Sequence, residues 1–451
     1  MNRKEFLTKS AALLLGTLTT SQLPAKNNKE KIKKLNLIPD PNEIIDLPKN
    51  FSYKIISKEK EMMSDGLLVP PNADGMACFK GDKNLLILIR NHEIGHVPNV
   101  ENLFTTNPYG KGFKSYFNRY GDRFYDSSIN QTECFGGTTT IVYDSVKEKV
   151  MSQFLSLGGT LVNCSGGTTP WNTWITCEET TKKKGIGVNK NHGYAFEVNS
   201  NPLPALTNAV PLESMGRFRR EAVAIDSKSG NVYQTEDREH GLFYRFIPKQ
   251  KTKLVKGGKL QALSIQNHEG EHTANWSKKI FKKNKKYDIS WIDLDDVKSP
   301  KDDLRNRGKK LGCVTFARPE GIIFSDTSIY FTCTSGGKNR LGQIWKYSII
   351  KNGIDTVELF YESKDKTELN MPDNIVISPW GDIIVCEDGK GRDRLVGIKS
   401  DRTLYYIANN ALNNAEFAGA TFSPDGKILF VNIYDPTMTL AIKGPWSQLY
   451  S

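Results

Sequence analysis

The chain has 451 residues, 38% of them hydrophobic and 25% charged, with a formal net charge of +12. These proportions describe an ordinary soluble globular protein and exclude a low-complexity or disordered chain. The length leaves two or three ordinary domains, or one large repeat architecture.

In chain order, the first informative stretch is the amino terminus. Arg3 and Lys4 precede Phe6-Leu7, an apolar run from Ala11 to Leu18, and a small residue, Ala25, after Pro24. This reads as a secretion signal whose apolar part is too short to span a bilayer. The pattern Asn2-Arg3-Lys4-Glu5-Phe6-Leu7-Thr8-Lys9 looks like a twin-arginine signal with Lys in place of the second arginine, so the Sec route stays open. The competing reading is an amphipathic first helix of the mature fold. The expectation is a periplasmic or extracellular protein with no stable membrane insertion once residues 1–25 are removed.

A repeated unit follows: a short apolar strand, a Gly/Asp/Asn turn, a second strand, and a small or acidic cluster at its end. Its copies run from Asp74 to Glu93, Cys164 to Glu179, Glu221 to Asp237, Glu320 to Ser335, Asp373 to Asp388, and Glu416 to Asn432. The third and fifth overlay without a gap. Between the third and fourth, residues 249–310 hold 17 Lys and Arg against 8 Asp and Glu. This segment reads as a solvated basic insertion and not as a nucleic-acid surface, because no aromatic-basic interleaving accompanies it. Six units of short strands without 3.6-residue periodicity predict an all-β, six-bladed β-propeller. The expected organisation is a linker over 26–50 and one propeller domain over 51–451, as a monomer. A β-sandwich with long insertions is the alternative.

In a propeller, equivalent strand ends converge at one mouth of the channel. Glu221, Glu320, Asp373 and Glu416 open their units, and Glu93, Glu179, Asp237, Glu387 and Asp388 close them. Gathered carboxylates repel and resist ionisation unless cations neutralise them, so the pattern points to a multi-metal centre. For any single acid, capping an exposed turn is an equal reading. Seven cysteines cannot all pair, and Cys177, Cys333 and Cys386 read as small buried hydrophobes. Trp171 and Trp174 read as packing residues.

The stretch from Cys164-Ser-Gly-Gly-Thr-Thr-Pro to Glu178-Glu179 resembles the signature of the PhoX-type alkaline phosphatases. Family-like stretches continue at Met215 to Phe218, Thr235-Glu236-Asp237, Phe316 to Gly321, Pro372-Asp373-Asn374, Cys386 to Gly389, and Glu416 to Trp446. The resemblance implies hydrolysis of small-molecule phosphate monoesters at a channel-mouth cluster of calcium and oxide-bridged ferric iron. It makes Cys164, Glu179, Glu221, Glu320, Glu387 and Glu416 candidate ligands, with Asp373 and Asp388 beside them. It places Arg318 on phosphate, with Asn91 and Glu93 near the same site. For Arg318 the competing reading is a strand-end salt bridge to a neighbouring Glu.

The residue chemistry agrees: carboxylates suit hard cations, and a cysteine among them suits iron better than calcium. The six histidines hold no His-x-His spacing, and His-Glu-x-x-His occurs only at a predicted strand end (92–96) and in the basic insertion (268–272), not on the helix that a conventional zinc hydrolase needs. The sequence departs from the family at Arg219-Arg220 and at Arg238-Glu239-His240. Two other readings are a calcium-binding propeller hydrolase of lactonase or phytase-like specificity, against which Cys164 counts, and a non-catalytic propeller binding a partner at its mouth.

Overall fold

The computed structural model describes residues 32–33, 36–95, 107–127 and 134–450. The expected export signal over 1–25 lies outside the described residues.

Each repeat unit opens with a strand near the molecular axis. These strands are β1 (Ala73–Lys80), β2 (Asn163–Thr168), β3 (Arg220–Ile225), β4 (Pro319–Ser325), β5 (Pro372–Ile377) and β6 (Phe417–Phe422). Each starts an antiparallel meander. β1 is followed outward by Leu85–His92, Gly136–Asp144 and Lys149–Thr160, and β5 by Ile383–Glu387, Arg394–Ile398 and Leu404–Asn410. Around the axis β1 lies beside β2, and so on in order until β6 returns to β1. The architecture is all-β and propeller-like.

Closure uses both ends of the described chain. Ser52–Lys58 pairs antiparallel with Met438–Lys443, so an early strand completes the sheet that β6 begins. Aromatic side chains fill the space between sheets: Phe243, Phe316, Phe331 and Trp345 meet in one buried cluster with stacked and edge-on rings. Where neighbouring inner strands touch at Gly321 and Gly419 there is no room for any side chain. A Cβ on Gly321 would sit 2.3 Å from the Asp373 carbonyl oxygen, and one on Gly419 2.3 Å from that of Asp74. Glycine at these points lets neighbouring inner strands touch. An axial cavity of about 290 Å³ remains, lined by residues including Gly166, Val223, Ile322, Ile375 and Thr421.

Two segments differ from expectation. Within the supposed linker, Ile45–Pro48 pairs with Leu404–Asn410 and Leu37–Ile38 pairs with Ile45–Pro48, so this stretch is docked sheet. Ile45 and Leu47 bury their side chains there, which a free linker cannot do. The basic segment is likewise built in. Gly258–Ile265 pairs with Lys286–Asp293, which also pairs with Thr356–Glu362, joining the third and fourth units into one nine-stranded sheet. Along Lys286–Asp293, Tyr287 and Ile289 are buried while Lys286, Asp288 and Ser290 are exposed. That two-residue alternation of a half-buried strand was masked by the density of lysines around it.

Gly321→Ala tests the close approach at the axis. Forcing the Asp373 backbone away should cost roughly 1–3 kcal/mol, read as a lower urea midpoint with an unchanged m-value.

Candidate metal centre

The ladder between first and second strands slips once in every unit. Ala73 pairs with His92 and Met76 with Arg90, so Asp74 and Gly75 together face Asn91. The same slip sets Cys164-Ser165 against Cys177 and Glu221-Ala222 against Thr235. It recurs with Glu320-Gly321 against Thr332, Asp373-Asn374 against Cys386, and Gly419-Ala420 against Val431. A two-against-one bulge bends its strand and re-aims a side chain. Its first residue is Asp74, Cys164, Glu221, Glu320 or Asp373 in the first five units, and Gly419 in the sixth.

A second layer comes from the residue just past each second strand. The backbone N–H groups of Glu93, Glu179, Asp237, Thr334 and Asp388 donate to the carbonyls of Asn72, Val162, Arg219, Arg318 and Met371. Arg219 and Arg318 thus occupy the same position in consecutive units, each two residues before its bulge acid. Arg318 has φ of +50°, a conformation that costs an L-residue about 1–2 kcal/mol. Its N–H bonds the Arg238 carbonyl at 2.9 Å and its own carbonyl accepts from Thr334 at 3.0 Å, which holds the strained residue in place.

The mouth so formed carries Asp74, Glu93, Glu179, Glu221, Asp237, Glu320, Asp373, Asp388 and Glu416, together with the Cys164 thiol. Arg318 forks onto Asp237, with Nε 2.9 Å from Oδ1 and Nη2 3.3 Å from Oδ2, and also pairs with Glu320. Arg219 pairs with Glu179 and lies 3.9 Å from Asp237. Tyr434 donates to Glu93 at 2.7 Å and Thr334 to Glu320 at 2.6 Å.

Burial first, and neighbouring carboxylates second, hold Asp74, Glu179, Glu221, Glu320 and Glu416 well above the usual carboxylate range. Burial and then Asp373 push Asp388 up to about 7. Asp237 is the exception: burial works against its charge, but Arg318 holds it below the usual range. The Cys164 thiol is pushed up by burial and then by Glu221 and Glu179.

These residues suit metal ions. Cys164, Glu179 and Glu221 each offer one ligand atom, all within 4.8 Å of one another. Asp74 Oδ1 and Asp373 Oδ1 are buried with no hydrogen-bond partner, an expensive state for a carboxylate that a cation would relieve.

A family model, that of alkaline phosphatase PhoX, matches residues 33–437. The chain belongs to the PhoX family. Membership places it among phosphatases. Among solved structures it is similar to PhoX of Pseudomonas fluorescens in complex with vanadate, a transition state analogue, at 17% identity and a TM-score of 0.63, covering 91% of this chain and 98% of that one. A gluconolactonase of Xanthomonas campestris is more distant, at 12% identity and a TM-score of 0.45, covering 88% and 97%. No curated protein sequence matches.

The geometry of this PhoX member sorts the candidate residues. Cys164, Glu179, Glu221, Glu320, Asp373, Asp388, Glu416, Glu93 and Arg318 come together at the mouth. Glu387 does not join them. It accepts from the Asn370 N–H and from Nε and Nη2 of Arg394, each at 2.7 Å, and so closes its own loop. Glu178 and Glu236 do the same in their units, Glu178 with His192 and Gly193 and Glu236 with Leu242 and Tyr244. Successive strand residues face opposite ways, so only the second acid of each doublet, Glu179, Asp237 or Asp388, can face the axis.

Asn91 is also placed differently. It is fully buried opposite the first bulge, donates to the Cys164 and Ser165 carbonyls at 3.2 and 2.7 Å, and accepts from Trp174 at 2.9 Å. With its amide so occupied it staples one unit to the next, as Thr235 does to the Glu320 carbonyl.

Asp74 and Arg219 were not among the expected site residues. Both were visible in the repeat, since Asp74 aligns with Glu221 and the spacing Arg219-x-Glu221 matches Arg318-x-Glu320. Tyr434 carried no such signal.

Neighbouring acids of one doublet should respond oppositely. Asp388→Asn relieves repulsion, so the EDTA-treated protein should unfold at a higher midpoint while its calcium affinity falls. Glu387→Ala strands Arg394 and should cost roughly 3–5 kcal/mol in denaturant unfolding, with or without cation.

Proposed function

We propose that this chain is an exported, metal-dependent phosphatase that hydrolyses phosphate monoesters at the acidic mouth of a six-bladed propeller. The closed ring β1 to β6 supports the six-blade reading, each strand opening one blade, with Lys286–Asp293 as a bridge between the third and fourth. The observation that carries the functional reading is the convergence of Cys164 with Glu179 and Glu221, beside buried carboxylate oxygens that lack a partner.

Cys164, Glu179 and Glu221 would hold ferric iron, since a thiolate among carboxylates suits iron better than calcium. Asp74, Glu320, Asp373, Asp388 and Glu416 offer oxygen alone, the donor set calcium takes. When bound, such cations polarise phosphoryl oxygens and lower the pKa of a water nucleophile.

The remaining work falls to the protein. Phosphoryl transfer spreads charge over three nonbridging oxygens that must be held in line with the nucleophile. Arg219 and Arg318 both lie beside Asp237 at the rim, each about a third exposed, and the guanidinium N–H groups they do not spend on Glu179, Asp237 and Glu320 would donate to phosphate. Asp237 pairs with both and braces them at the rim. The departure at Arg219 thus adds a second phosphate-binding cation. The net positive charge beyond the mouth draws in anionic esters.

The protein purified without chelator should contain iron and calcium and hydrolyse a chromogenic phosphate monoester. EDTA should abolish the activity, and Cys164→Ala should remove the iron. Arg219→Ala and Arg318→Ala should each lower kcat/KM by tenfold or more, about 1.4 kcal/mol per decade. Calcium without iron, together with no hydrolysis, overturns the proposal.

A further inference from the structure

A second group of ligand-type side chains lies apart from the mouth. His192 is fully buried, and its Nε2 lies 3.5 Å from Asp126 Oδ2 and 3.8 Å from Cys134 Sγ. The three ligand atoms all lie within 4.8 Å of one another, and Asp126 and Cys134 are buried as deeply as the channel-mouth acids.

The other ring nitrogen explains the orientation. Nδ1 is 2.6 Å from Glu178 Oε1, and Glu178 is fixed by the N–H groups of Leu161, Gly193 and Tyr194 at 3.0, 2.8 and 3.2 Å. A carboxylate behind a histidine places the proton on Nδ1 and turns the Nε2 lone pair outward, which is how zinc-binding histidines are oriented. Tetrahedral Zn²⁺, with bonds of about 2.0–2.1 Å to nitrogen or oxygen and about 2.3 Å to sulfur, sets neighbouring ligand atoms roughly 3.3–3.6 Å apart. The two separations measured from Nε2 fall within a few tenths of an ångström of that range. Asp126 is held in turn by the Lys190 N–H at 2.6 Å and the Asn189 amide at 3.1 Å.

We propose that Asp126, Cys134 and His192 form a second metal site, for zinc or a similar borderline transition cation. Its mixed nitrogen, sulfur and oxygen donors suit such an ion and not calcium. Its place in the fold gives it a structural role. It ties residues 189–192 to the chain entering strand Gly136–Asp144, and through Glu178 it backs the strand end whose next residue, Glu179, faces the mouth. The site stands on its own residues and does not depend on the phosphatase reading.

The competing arrangement is an imidazolium held between Glu178 and Asp126, which needs no metal. Full-length protein dialysed against Zn²⁺ and passed through a desalting column separates the two by elemental analysis. One equivalent of zinc per chain, lost in Cys134→Ser and His192→Gln but kept in Glu221→Gln, is the expected result. Zinc content that does not change in the folded Cys134→Ser protein overturns the site. Should that variant fail to fold, Cys164→Ala protein loaded with Co²⁺ decides the matter. A thiolate-to-cobalt charge-transfer band supports Cys134 as a ligand, and its absence rules the site out.

Discussion

Nine carboxyl groups and a thiol share one enclosed mouth, and their mutual repulsion is the constraint on which the rest of the structure depends. Two like charges about 4 Å apart in a protein environment repel by ~4 kcal/mol, and burial adds to the cost of each charge. Asp74, Glu179, Glu221, Glu320 and Glu416 are accordingly held far toward their neutral forms. Arg219 and Arg318 offset part of that charge near Asp237. The rest demands cations, and the fold must keep the ligands in position against their own repulsion.

The scaffold does so with backbone geometry. A bulge at the same point in each of the first five units turns one side chain to the axis, and the chain just past the second strand adds another. Buried side chains lock adjacent units at this level: Asn91 to the Cys164 and Ser165 carbonyls, Thr235 to that of Glu320, Thr332 to that of Asp373, and Asn432 to that of Asp74. Each bonds a carbonyl of the bulge in the following unit. The ligands are therefore carried on the most firmly tied part of the ring, and glycines at the bulges bring the strands close enough for those bonds.

The acid doublets divide two tasks that the sequence writes side by side. Glu178, Glu236 and Glu387 spend their oxygens on loop N–H groups and arginine or tyrosine side chains. Glu179, Asp237 and Asp388 are left for the mouth. The first set of acids makes the loops rigid, and the second set works from that rigid base.

What the sequence by itself determined is the repeated unit, its turn residues and the acids at its two ends, because strand alternation and turn chemistry are local. From these the all-β class and most of the mouth were legible, while Arg318 came from the family resemblance, and Asp74 and Arg219 were legible in principle from the repeat spacing. What only the tertiary structure decided depends on partners distant in the chain. Which acid of a doublet faces the axis depends on register. Asn91 is a staple because Cys164 and Trp174 lie across from it in the next unit. Tyr434 reaches Glu93 only when the last unit closes against the first. Strand 286–293, beside a run of lysines, and the docked segment 36–50 became sheet because edges far along the chain were there to pair with them.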